Sequence, residues 1–86
     1  MLMDSTVQLI IARFPAFKDL VVEQFAENAR FRSLCNDYAE ALAAQTAWEK
    51  ISTPQASLYV RDYRRLVAEL ERDLLRELLE IDTSKG

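Results

Sequence analysis

Histidine is absent from this 86-residue chain, and cysteine and glycine occur once each, as Cys35 and the terminal Gly86. Each shortage removes a class of chemistry. Without histidine the chain lacks the side chain that most often serves as general base or metal ligand near neutral pH. Cys35 by itself forms no intramolecular disulfide, and with neither a second cysteine nor a histidine it supplies none of the usual zinc ligand sets. No glycine-rich loop is present to approach a phosphate, and no serine sits in a glycine-flanked elbow. Carboxylates do pair at helical spacing, as Asp73 with Glu77 and Glu77 with Glu80, but Arg72 and Arg76 share their face. The sequence therefore predicts no catalytic residue, no cofactor and no metal, and points away from an enzyme.

Proline is almost as scarce, restricted to Pro15 and Pro54, so little interrupts a helix and little supplies a hairpin turn between strands. An all-α class follows. Long apolar runs are missing too: the stretch from Leu9 to Ala12 is far too short to span a bilayer. The start, Met-Leu-Met-Asp-Ser, has no basic region followed by an apolar core, which reads as a cytoplasmic protein of bacterial type. Positive charge is in deficit, with a net charge of −3 and a pI near 4.9, so a bulk attraction to nucleic acid or anionic membrane is not expected. Half the residues are apolar and 29% are charged, too hydrophobic a balance for a disordered segment. The expectation is one helical domain over residues 1–86.

What is present is a pair of apolar stripes at helical spacing on either side of Ser52-Thr53-Pro54. Phe31, Leu34, Tyr38, Ala41 and Trp48 recur at steps of three and four before it, widened by Cys35 and Leu42. Val60, Tyr63, Val67, Leu70, Leu74 and Ile81 do so after it, widened by Leu66 and Leu78. Counting outward from Pro54 sets Trp48 opposite Val60, Leu42 opposite Leu66, Leu34 opposite Leu74 and Phe31 opposite Leu78. This predicts a long antiparallel helical hairpin over about 29–51 and 54–81.

The helix ends are written locally. Ser5-Thr6-Val7-Gln8 has the form of a capping box and opens an N-terminal helical segment over about 5–27, kinked where Pro15 pushes Phe14 out of helical geometry. Asn28 is a good N-cap for the first long helix, and Thr53 followed by Pro54 for the second. The last helix carries acid–arginine spacings of three or four at Asp62/Arg65, Arg65/Glu69, Glu69/Arg72, Asp73/Arg76 and Arg76/Glu80. Asp82 to Gly86 reads as a fraying tail.

Phe14-Pro15-x-Phe17-Lys18-Asp19-Leu20-Val21, a polar cap at Asn28, then Phe31-x-x-Leu34 and Tyr38 resemble the small bacterial YdcH-like proteins. Those proteins open with a Phe-Pro-x-aromatic-basic-Asp-Leu-Ile segment and continue into a helical hairpin. The likeness covers about Phe14 to Leu79; Ala39 and Ala41 stand where that family tends to have Asn and Leu, and the closing helix is richer in arginine. The resemblance implies a fold and no established activity.

Function then rests on surfaces. Phe17, Val21 and Phe25 form an apolar side of the N-terminal segment, and Trp48 with Tyr59 stands at the hairpin tip, all candidates for a protein interface. Cys35, beside Leu34, reads as a small buried hydrophobe, and Gln45 as the edge of the seam or a polar residue that sets register. Arg61, Arg64 and Arg65 make the one basic cluster, a solvated face or a phosphate contact. The expected function is a non-catalytic interaction module that forms a homo-oligomer, a dimer by preference, and presents a surface to an unidentified protein partner. The alternative is a small RNA- or ribosome-associated factor using the three arginines.

Overall fold

The computed structural model describes residues 4–85; Met1 to Met3, on which part of the leader reading rests, and Gly86 lie outside the described residues. The chain forms α1 (Ser5–Arg13), a 3-10 turn (Pro15–Phe17), α2 (Lys18–Glu27), α3 (Ala29–Glu49) and α4 (Pro54–Lys85). The helical hairpin expected from the two stripes is there as α3 and α4. Among the described residues no backbone has positive φ, so every turn is made without the conformations that favour glycine.

Each boundary has a local cause. At the first, Asp4 rather than Ser5 is the N-cap: its Oδ1 accepts from the Thr6 N–H at 2.7 Å, and Ser5 becomes the first helical residue. An ionised carboxylate facing the positive end of a helix outcompetes a neighbouring hydroxyl. Phe14, ahead of proline, swings to φ −128° and ψ 65°, which ends α1 and turns the chain through Pro15–Phe17 into α2. Asn28 serves two helices. Its N–H closes α2 on Gln24 O at 2.8 Å, while its Oδ1 accepts from Phe31 N–H at 3.1 Å to open α3. At the hairpin tip Thr53 Oγ1 accepts from Ala56 N–H at 3.1 Å, with Pro54 in the first helical position.

Two boundaries differ from expectation. α3 ends at Glu49, two residues early, because Lys50 and Ile51 tighten into turns on Ala47 O and Trp48 O. α4 continues past Ile81 to Lys85, with Thr83 Oγ1 donating to Leu79 O at 2.8 Å and no helix breaker before Gly86. Its 32 residues span roughly 48 Å at 1.5 Å per residue. The molecule measures 48 × 29 × 21 Å, so α4 sets its long axis.

The core gathers at the base of the hairpin, away from the turn. Phe31, Cys35, Leu74 and Leu78 are fully buried there, joined by Ile10 from α1 and Val21 from α2. Burying a large apolar side chain of this kind stabilises by about 1.5–3 kcal/mol. The N-terminal helices thus cover their own hairpin. A polar pin holds α1 in place: Arg13 meets Glu71 of α4 through Nε at 2.8 Å and Nη2 at 3.1 Å, and Tyr38 OH of α3 donates to the same carboxylate at 2.7 Å. Of the acid–arginine spacings expected along α4, only Asp73/Arg76 closes among the described residues, at 3.7 Å. Exposed charges gain little from pairing along a helix, and Glu71 and Glu77 turn instead to Arg13 and Arg30 on other helices.

Candidate functional site

The stripe of α4 is wider than the strip α3 covers, and the surplus defines an open groove. Ala41 and Ala44 on α3 form a shallow floor, and Tyr63, Leu66 and Leu70 on α4 form one wall. The trough has a volume of about 510 Å³ and lies open to solvent along its length. Leu66, expected opposite Leu42 within the seam, is 40% exposed on this wall. The reason is size: alanines at 41 and 44 leave part of the large α4 side chains uncovered on that side.

Electrostatics single out the same place. The charged groups lining the trough are Asp37 and Glu40, both exposed and neither in an ion pair among the described residues. Toward the base the adjoining cleft changes character: Asp73 is held by Arg76 and Glu77 by Arg30 at 4.0 Å. Asp37 lines that cleft as well as the trough, whereas no cation lines the trough itself.

Closer to the turn lies an aromatic pair. Trp48 and Tyr59 stack with ring centroids 4.5 Å apart and planes at 29°, close to the contact expected at the tip. Tyr59 is about half exposed, as are Ile51 and Leu58 nearby, whereas Ala56 is fully buried.

The other candidate residues fall elsewhere. Val21 is fully buried in the chain's own core and has no surface to offer a partner; Phe17 and Phe25 are half-buried against that core. Arg32 Nη1 donates to Phe25 O at 2.9 Å, which ties the end of α2 to α3. Arg64 leans to Glu49 across the hairpin at 3.9 Å, while Arg61 and Arg65 stand exposed, four residues apart on one face. The structure does not bring the arginines together with Phe17, Phe25 or the trough.

Titratable groups shifted by their surroundings lie in and against the core beside the trough. Cys35 is fully buried, and burial pushes its thiol pKa up to about 12, which suppresses the nucleophilic thiolate. Burial, followed by the hydrogen bond to Glu71, raises Tyr38 likewise to about 12. Glu71 is held below the usual carboxylate range chiefly by the Arg13 hydrogen bond, against an opposing effect of burial. Among the described residues no cluster of three or more acids, cysteines or histidines is placed to hold a metal ion, and no helix is long and apolar enough to cross a membrane. Sequence reasoning had no direct signal for the trough; the small residues Ala41 and Ala44 beside the large Tyr63, Leu66 and Leu70 of α4 were the feature that could have shown it.

Comparison with family models, with curated proteins and with solved structures returns no match.

Proposed function

We propose that this chain is a non-catalytic protein-interaction module of the cytoplasm, working through the open side of its hairpin. The observation that carries the reading is the trough of Ala41, Ala44, Tyr63, Leu66 and Leu70. It is the stretch of hairpin seam that α1 and α2 leave bare, and it presents apolar surface of the kind that association buries. A YdcH-like relationship is in keeping with this proposal, since the motif from Phe14 to Val21 forms the bend and the helix that roof the base of the hairpin.

Homo-oligomerisation into a dimer is the self-contained form of the reading. A second copy is not needed to cover the N-terminal segment, since Phe14 and Val21 are buried within the chain and Phe17, Leu20 and Phe25 pack against its core. What supports a second copy is now the trough alone. RNA or ribosome contact through Arg61, Arg64 and Arg65 has weaker support, because Arg64 leans to Glu49 and the chain carries a net charge of −3.

The test is the molar mass of the protein by light scattering across a low-micromolar dilution series, for wild type and Leu66→Glu. An oligomer that Leu66→Glu returns to monomer supports the trough as an interface between copies. An oligomer indifferent to that substitution places the working surface elsewhere. A monomer leaves the trough for another protein.

A further inference from the structure

Resting on the reading of the trough as a protein-docking surface, we infer that its occupant is a cationic amphipathic helix of a different protein. The shape asks for a rod. Tyr63, Leu66 and Leu70 stand at i, i+3 and i+7 along α4, and Ala41 and Ala44 across from them allow the close backbone approach that helix packing requires. A helix laid in such a trough offers its own apolar residues at steps of three and four. It would cover a face of the hairpin that α1 does not, since Leu9 of α1 lies against Ala39, Leu42 and Ala43 instead.

Charge selects which helix. Asp37 and Glu40 are the charged side chains lining the trough, and no cation lines it. In the adjoining cleft, which Asp37 also lines, Arg30 lies 4.0 Å from Glu77 and Arg76 3.7 Å from Asp73. A helix whose apolar stripe is flanked by lysine or arginine meets both acids, whereas one flanked by acids is repelled. A second copy docked face to face brings another Asp37 and Glu40, with no cation lining its own trough to answer them. The same carboxylates disfavour a phosphate-rich partner. The acids of the open rim therefore disfavour self-pairing as well as attract a basic partner.

The experiment is a display selection on the folded, full-length protein. The library holds helical peptides of about 18 residues, five turns, with apolar positions drawn from Leu, Phe and Ala and flanking positions from Lys, Glu and Gln. Leu66→Glu is the counter-target, and Leu75→Glu, at a position equally exposed at 39%, is the control for an added charge. The expected result is recovery of lysine-flanked peptides that bind wild type and Leu75→Glu alike. Combining Asp37→Lys with Glu40→Lys should weaken them about tenfold, one like-charge contact's worth, and shift recovery to glutamate-flanked peptides. Peptides that need Leu66 but carry neutral or acidic flanks overturn the inference and leave the docking reading standing. So does a wild-type dimer that Leu66→Glu disperses. Binding that falls as far with Leu75→Glu as with Leu66→Glu overturns both, as does recovery of no peptide from a monomeric wild type.

Discussion

The base and the tip of the hairpin are made from the same two helices and are held together differently. At the base, α3 and α4 sit beneath α1 and α2, and the fully buried large side chains collect there: Phe31, Ile10, Leu74, Leu78, Val21 and Cys35. At the tip, two helices have only each other. Ala56 is buried, but Ile51, Leu58 and Tyr59 remain about half exposed, and Trp48 stacks on Tyr59 across the hairpin. The difference shows how a small chain divides its labour: one end is closed into a core, and the other keeps apolar surface in reserve.

The sharpest way to break this contrast is to delete the same side chain at both ends. Leu74→Ala, at a fully buried position, should cost about 3 kcal/mol in urea unfolding, through lost burial and the cavity left behind. Leu66→Ala, on the half-open wall, should cost about 1 kcal/mol or less, because solvent and neighbours already share its surface. Equal losses would mean that the tip is as well packed as the base.

The caps allow a finer comparison. Asn28→Ala removes the acceptor that opens α3 at the base and should lower stability by about 1 kcal/mol, with Thr53→Ala costing a similar amount at the tip. The two should separate in hydrogen exchange. Loss of the Thr53 cap should speed exchange of amides near the turn alone, while loss of the Asn28 cap should speed exchange throughout the core, since base elements open only with the whole.

A smaller effect follows from Glu71, which joins α4 to Tyr38 of α3 and Arg13 of α1. Its pKa is depressed from the ordinary value of 4.5, so its contribution is complete above that pH and is lost as pH falls through the lower folded value. Wild type should therefore lose stability on acidification faster than Glu71→Gln, and the two curves should converge at the acid end. Parallel curves would mean that the pin is decorative. Least affected should be Cys35, whose labelling by a thiol reagent at neutral pH should be limited by opening of the core, with no fast phase from the folded state.

How much of this was legible depended on how far apart the cooperating residues lie. The kink at Pro15 and the breaks at Asn28 and Thr53-Pro54 could be read along the chain, and the counted register, Leu34 opposite Leu74 and Phe31 opposite Leu78, agrees with the contacts of Tyr38 with Glu71 and Arg30 with Glu77. The first cap was misplaced by one residue because Asp4 and Ser5 are adjacent competitors for the same donors. The candidate site was scarcely legible. Val21 looked like open surface because nothing local shows that α2 folds onto α3, and Leu66 looked like seam because its stripe is continuous with Val67 and Leu70.

Sequence alone determined the helical class, the breaks at Pro15, Asn28 and Pro54 and the pairing of two apolar stripes, since caps, prolines and periodicity act over a few neighbouring residues. Tertiary structure alone decided which edge of those stripes α1 covers, where Arg13 finds Glu71, and which edge stays open beside Asp37 and Glu40. The physical reason is that stripe width is a property of one helix, whereas cover is a property of three. Alanines at 41 and 44 become the floor of a groove only when larger side chains from α4 stand beside them and the N-terminal helices lie on another face of α3, where Leu9 meets Ala39, Leu42 and Ala43.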